Sequence, residues 1–226
     1  MLDASVADCA MGLVIMAGRR FGQGLRLARD SQWSEVNHNQ MLGRDVHGKT
    51  LGILGLGVIG QEVARLAAAF GMRVIGTKRR PGEMANVAQV FPAERTNEVL
   101  AQSDFVLLLL PATKETDNFI NAERLAAMKP SAWLINFGRG HTIVDADLIA
   151  AAKDKKIAGA VLDVFRQEPL PSDHPFWKAE GIVVLPHIGG PHPQRDKFVA
   201  RLFVENLGRF LDGKPLKEIV DRAAGY

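Results

Sequence analysis

The chain has 226 residues, 47% hydrophobic and 23% charged, the composition of an ordinary globular protein with enough apolar material to bury a substantial core in one large domain. A balance of 28 Lys and Arg against 25 Asp and Glu leaves a formal charge of +3 and a pI near 9.1, too mild for a chain-wide nucleic-acid or membrane-surface footprint. The single cysteine, Cys9, excludes an intrachain disulfide and a cysteine zinc cluster and suits a reducing compartment.

Residues 4–29 place Val6, Ala10, Leu13, Val14, Ala17, Phe21 and Leu25 at helical spacing, with Asp3 or Ser5 as cap, and are expected to form one helix. Its apolar run from Cys9 to Ala17 is preceded by acids and followed by Arg19-Arg20, the reverse of a secretory signal, and is too short for a membrane span. It reads as a buried helix of a cytoplasmic protein. Residues 30–48 are polar and irregular and read as a connector. Strands are then expected at 50–54, 72–76, 104–110, 132–136, 158–163 and 182–186. Between them lie helical stretches at 58–70, 94–102, 121–128 and 145–153, and a final amphipathic helix spans about 193–212. Strands apolar throughout and separated by helices predict an α/β fold, a parallel sheet covered on both faces.

After the first strand, "GILGLGVIGQEVARLAAAFG" sets Gly55, Gly57 and Gly60 at the spacing G-x-G-x-x-G, with Val58 and Ile59 between the last two. The spacing alone is a weak signal. Between a strand and a helix, however, the three glycines serve a tight turn, close approach of backbone to a pyrophosphate, and close packing of helix on strand. The helix N-terminus adds free N–H groups and a partial positive charge for phosphate. A dinucleotide bound by a doubly wound Rossmann sheet is the expectation, and a turn with chance glycines the bland alternative.

Such a fold reads the adenine ribose at the end of the second strand, commonly with an acid that accepts from the 2′-hydroxyl. This chain has Lys78, Arg79 and Arg80 there. A 2′-phosphate would be held by these cations through charge-assisted hydrogen bonds, which favours NADP(H) and leaves NAD(H) open. An ordinary solvated basic loop is the alternative.

Later strand ends carry the polar residues that reduction of a 2-oxo acid requires. "NFGRG", after the strand at 132–136, offers Arg139; "LDVFRQEP", after the next, offers Asp163 and Glu168; "PHIGG", after the last, offers His187. An arginine fork suits a substrate carboxylate and carbonyl, and a histidine titrates in the range of a proton donor. A carboxylate on the far side of an imidazole fixes the ring and favours its charged form, and Glu168 is the candidate partner of His187. Taken singly, each of the three is as readily a structural residue. No metal is expected.

With these residues assembled, the chain resembles the D-isomer-specific 2-hydroxyacid dehydrogenases. The likeness runs from "SVADCAMGLVIMAGRR" through "LLLLPATKETDNFIN", "LINFGRGHTIVDADLIAA" and "IAGAVLDVFRQEPLPSDHPFW" to "VVLPHIGG", and "VDRAAGY" looks like the ending of glyoxylate and hydroxypyruvate reductases in the group. The resemblance implies an Arg139, Glu168 and His187 triad and a nicotinamide carboxamide held by Asp163. It also implies a cofactor groove lined by Leu110, Pro111 and Phe137, with Thr116 and Gly189 in the cofactor set. Three positions depart from the family: Val58 where a polar or basic residue is common, Leu109 where many members have histidine, and Pro191-His192-Pro193 in place of a small hydroxylated stretch, which would reshape the wall near His187.

Members of the family begin with roughly a hundred residues that build most of a substrate domain. Residues 1–190 correspond to the nucleotide domain with its leading helix and connector, and 191–226 to the C-terminal helix and tail of the substrate domain. Because Met1-Leu2-Asp3 begins mid-pattern, the expectation is a shortened form of a longer enzyme, either a fragment or misassigned start or a natural truncation with reduced or no activity, the first being favoured. The resemblance further implies a homodimer through residues 4–48, with Trp33 either reaching toward the partner's pocket or serving as a plain surface or core residue. The leading expectation is an oxidoreductase passing hydride between NADP(H) and a small 2-oxo or 2-hydroxy acid such as glyoxylate or hydroxypyruvate. A non-catalytic nucleotide-binding module or regulator is the second. L-lactate and malate dehydrogenases share only the nucleotide turn, whereas phosphoglycerate, phosphite and formate dehydrogenases stay open as relatives.

Overall fold

The computed structural model describes residues 3–33, 42–220 and 222. The part of the connector at 34–41 and, of "VDRAAGY", residues 221 and 223–226 lie outside the described residues.

Runs such as Leu51-Gly52-Ile53-Leu54 and Phe105-Val106-Leu107-Leu108 are apolar on both faces, so they are stable only where both faces of a sheet are covered. They lie at the middle of a seven-stranded sheet with strand order β3-β2-β1-β4-β5-β6-β7. The strands are β1 (Thr50–Leu54), β2 (Arg73–Thr77), β3 (Gln89–Phe91), β4 (Phe105–Leu108), β5 (Trp133–Asn136), β6 (Gly159–Leu162) and β7 (Ile182–Val184). Every pairing is parallel. Strand order reverses between β1 and β4, which opens a crevice at their C-terminal ends, the place where a doubly wound sheet takes its ligand.

Alternate residues feed two cores. Leu51, Ile53, Leu107, Ile135 and Val161 pack with Ala10 and Val14 of α1 (Asp3–Gly18) and with Val63 and Ala67 of α3 (Val58–Ala69). On the other face Leu54, Val106, Leu108, Leu134 and Leu162 meet α4 (Thr96–Gln102), α5 (Ala122–Ala126) and α6 (Asp145–Lys153) through Leu100, Leu125 and Leu148.

The helix expected over 4–29 is two helices. α1 ends at Gly18, Arg20 takes a left-handed φ of 56°, and α2 (Phe21–Arg29) follows. Phe21 and Leu25, expected on the buried face, are consequently 53% and 69% exposed. The apolar periodicity continued across the break because nothing in the spacing marks a left-handed arginine.

β3 was not expected. Three residues show no period, and in this strand only Phe91 is buried. The helix expected at 94–102 is a 3-10 turn at Ala93–Arg95 followed by α4, and the one expected at 121–128 contracts to α5, where the Asn121 side chain accepts the Arg124 N–H at 3.1 Å. The strands expected at 104–110 and 182–186 end at Leu108 and Val184, where their neighbours' ladders also end at Leu54 and Leu162. No residue of α7 (Arg195–Leu211) is fully buried, and Phe203, Val204, Phe210 and Leu211 stand exposed on it. Among the described residues no helix is long and apolar enough to cross a membrane.

Candidate active site

The glycine turn sits between β1 and α3. Gly55 has a φ of 108°, which L side chains rarely adopt, and a Cβ on Gly60 would stand 2.6 Å from the Gly55 carbonyl oxygen. Both glycines are therefore demanded by the turn and by the packing of helix on strand. Gly57 differs, since a Cβ there would meet nothing within 4 Å. It opens into free space at the N-terminus of α3, where the N–H groups of Val58, Ile59 and Gly60 have no partner inside the helix. Val58 is 65% exposed beside them.

Leu56 N–H donates to the Thr77 carbonyl at 2.9 Å, so the glycine turn and the end of β2 form one surface. Lys78 follows directly, half-buried, its backbone N–H on the Phe91 carbonyl at 3.0 Å, while Arg79 and Arg80 are exposed. Across the groove, the Thr113 hydrogen bond first, then its own backbone N–H and the charges of Arg79 and Lys114, hold the Glu115 carboxyl below its ordinary value. The Thr116 hydroxyl donates to the Pro111 carbonyl at 2.6 Å and accepts the Thr113 N–H at 2.8 Å, which ties its own loop rather than leaving the group unengaged. Leu110 and Pro111 line this edge and are partly exposed.

β5 delivers Arg139. The buried Asn136 accepts the Gly138 N–H and donates to the Arg139 carbonyl, both at 3.1 Å, while Thr142 Oγ1 donates to the same carbonyl at 2.7 Å. The Arg139 side chain is exposed and places one N–H on the Gly138 carbonyl at 2.8 Å.

β6 delivers Asp163 and Glu168. Asp163 is 2% exposed and accepts the Ile188 and Gly189 N–H groups at 2.8 and 2.9 Å, which anchors the loop of His187. His187 itself has a φ of 52°, a conformation uncommon outside glycine and found where surroundings impose it. Gly189 is packed so closely that a Cβ would fall 2.2 Å from the Phe137 ring. Burial first, then the charge of Asp163, push the Cys9 thiol up.

His187 Nδ1 and Glu168 Oε2 are 2.6 Å apart, and Glu168 Oε1 accepts the Phe165 N–H at 2.8 Å. Burial works to raise the Glu168 carboxyl, but the His187 and Phe165 hydrogen bonds and the charges of His187 and Arg139 outweigh it and hold the group below its ordinary value. Arg139 thus lies within the electrostatic reach of the pair. With Glu168 ionised, the bond runs from Nδ1–H to the carboxylate, which leaves Nε2 for a substrate.

The fold therefore gathers Arg139, Glu168 and His187, with Asp163 and Gly189 beneath them and the glycine turn and Lys78 along the same edge of the sheet. Spacing alone missed Asn136, Thr142 and Arg166, and it missed the part Asp163 plays as an anchor. A polar residue closing a buried strand, as in "LIN", is the one signal that pointed to Asn136. Among the described residues no group of three or more His, Cys, Asp or Glu is placed to hold a metal ion.

Residues 11–189 match the family described as D-isomer specific 2-hydroxyacid dehydrogenase, NAD binding domain. The chain is 38% identical to a glyoxylate reductase of Korarchaeum cryptofilum over 98% of this chain and 67% of that one. It is 41% identical to glyoxylate/hydroxypyruvate reductase B of Yersinia pestis over 94% of this chain and 66% of that one. It thus spans about two thirds of the length of these curated relatives. Among solved structures, an NADPH-dependent glyoxylate/hydroxypyruvate reductase of Sinorhizobium meliloti in complex with NADP and sulfate superposes with a TM-score of 0.87 at 31% identity, covering 100% of this chain and 70% of that one. A D-isomer specific 2-hydroxyacid dehydrogenase of Xanthobacter autotrophicus in complex with NADPH and MES gives a TM-score of 0.87 at 34% identity, covering 100% of this chain and 90% of that one.

Proposed function

The chain belongs to the D-isomer specific 2-hydroxyacid dehydrogenases, and on that premise we propose that it passes hydride between NADP(H) and a small 2-oxo or 2-hydroxy acid of the glyoxylate or hydroxypyruvate kind. The observation that carries this reading is the 2.6 Å bond between Glu168 and His187 with Arg139 in the same field. NAD(H) is the second cofactor the fold accommodates.

The residues fit a dinucleotide. The open space at Gly57 and the N–H groups at the start of α3 suit a pyrophosphate, and Lys78, Arg79 and Arg80 suit a 2′-phosphate. Asp163 offers its carboxylate to a carboxamide while anchoring the histidine loop. When bound, the reduced nicotinamide supplies the hydride to the carbonyl carbon. Arg139 has five donors and spends one on Gly138, so the others are available to the substrate carboxylate and the carbonyl oxygen. His187 gives the Nε2 proton to that oxygen as it becomes a hydroxyl, and Glu168 stabilises the imidazolium before transfer and the ring's orientation throughout. In the reverse direction His187 accepts the hydroxyl proton.

Residues 191–226 belong to the substrate side in this reading, which is supported by the uncovered apolar face of α7. A homodimer through residues 4–48 is supported by Phe21, Leu25, Trp33 and Leu42, which are 53%, 69%, 92% and 65% exposed. A monomeric mass by light scattering would remove it. The lone cysteine supports a cytoplasmic, reducing location. The test of function is NADPH absorbance with glyoxylate or hydroxypyruvate, with the chain expressed together with any coding sequence upstream of Met1. A substrate-dependent decrease is expected; a folded, NADPH-binding protein with none refutes the reductase and leaves the nucleotide-binding regulator.

A further inference from the structure

Arg166 stands two places before Glu168 in the turn that follows β6. Its Nε donates to the Ile143 carbonyl at 3.0 Å, and its Nη2 donates to the Ile143 carbonyl, to the His141 carbonyl at 3.1 Å and to Asn118 Oδ1. The Asp117 and Asp145 carboxylates stand 3.7 and 3.8 Å from the guanidinium, beyond hydrogen-bond length but near enough to favour a cation. Asp145 in turn faces His174 Nε2 at 3.6 Å. One side chain, 31% exposed, thus joins the loop after β4, the loop of Arg139 and the turn of Glu168.

Gly140 reports the same closeness independently. A Cβ there would fall 1.9 Å from the Phe165 carbonyl carbon and 2.4 Å from Arg166 N, so the Arg139 loop and the Glu168 turn touch backbone to backbone. Inside that turn Phe165 N–H holds Glu168 Oε1, and Oε2 holds His187. Hydrogen bonds thus tie the Arg139 loop to Arg166, and one step along the backbone those of Phe165 and Glu168 tie the same turn to the histidine.

We propose that Arg166 is a positioning residue, a clasp that sets the distance between Arg139 and the Glu168–His187 pair by tying the loop of the one to the turn of the other. Its effect on turnover rests on the hydride-transfer reading; its effect on the Glu168–His187 bond does not. The clasp requires a fork. A planar guanidinium reaches two carbonyls and an amide oxygen at once, whereas a lysine at this position keeps the charge near Asp117 and Asp145 but offers a single donor centre.

The test compares Arg166→Met and Arg166→Lys with the unaltered chain by three readouts: the NADPH dissociation constant, kcat and KM for glyoxylate, and the proton NMR signal of His187 Nδ1–H, assigned by its loss in Glu168→Gln. In Arg166→Met the NADPH constant should stay within about threefold, kcat should fall about 10- to 100-fold, as displacement of reacting groups by about 1 Å does, and the imidazole signal should broaden or vanish. Arg166→Lys should recover only part of the kcat. A folded Arg166→Met with an unchanged imidazole signal and kcat within about threefold overturns the clasp. If the unaltered chain shows no turnover, the NMR signal alone decides on the clasp. Should Arg166→Met not fold, Arg166→Lys decides by the same criteria.

Discussion

Replacing Gly57 by alanine separates the part the glycine turn plays in binding from its part in folding. Gly57 caps α3 with φ −84° and ψ −157°, extended backbone that alanine adopts, and its Cβ would meet nothing within 4 Å. The cost to stability is limited to alanine's poorer N-cap, about 1 kcal/mol, or about 2–4 °C in a chain of this size. The methyl would occupy the space proposed for the pyrophosphate and push it from the helix N–H groups. Losing one hydrogen bond to a charged group costs about 1.5–3 kcal/mol, which weakens NADPH about 10- to 150-fold. Gly60→Ala should do the reverse: its Cβ, 2.6 Å from the Gly55 oxygen, forces helix from strand, an overpacking cost of about 1–3 kcal/mol. Fluorescence titration with NADPH and with adenosine 2′-monophosphate, beside thermal melts, reads all of this. Gly57→Ala should weaken NADPH and leave the monophosphate, which has no pyrophosphate, unchanged. NADPH binding within about threefold of the unaltered chain would refute the reasoning.

Glu168→Gln removes the charge opposite His187 and should lower kcat about 10²- to 10⁴-fold with the NADPH constant unchanged, as read by stopped-flow absorbance; a comparable loss of cofactor binding would contradict the assigned role. Lys78→Asp should reverse the ratio of NADPH to NADH dissociation constants, and an unchanged ratio returns Lys78, Arg79 and Arg80 to a solvated loop. Glu168 and Asp104 are both held below their ordinary values. In Asp104 burial is outweighed by the Thr50 N–H, by the bond and charge of Lys129 and by the charge of Lys49. Because the unfolded chain then binds more protons, these groups contribute stability that is complete above the ordinary carboxylate range and lost as pH falls through it. Asp145, raised by burial against the charges of Arg166 and His174, contributes in the opposite sense. Urea unfolding from about pH 6 to 3 should therefore show declining stability, less steep in Glu168→Gln, and a profile unaffected by that substitution contradicts the assignment. Leu134→Ala, at a fully buried position of β5, should cost about 2–5 kcal/mol in urea, and a cost under about 1 kcal/mol would mean the core there relaxes.

Much of the architecture was legible because its signals are local. Six of the seven strands are apolar runs bounded by glycines and polar residues, and the glycine turn is a spacing constraint set by backbone geometry over a few residues. β3 was not legible, because three residues carry no period and its pairing with β2 is a tertiary event. Nor was the break at Arg20, since nothing in an arginine's residue type marks a left-handed φ.

The sequence by itself determined that this is a doubly wound α/β chain with a dinucleotide turn, a basic second-strand end, and arginine, glutamate and histidine at successive strand ends. Periodicity and turn chemistry act between near neighbours, and a residue's chemical type travels with it. Only the tertiary structure decided that those three residues share one field, that Asp163 anchors the histidine loop through two backbone N–H groups, and that Arg166 joins three loops. Each of those facts is a distance between segments well separated in the chain, and such distances are set by sheet order and by which ladders end where. Spacing along one segment carries no record of them.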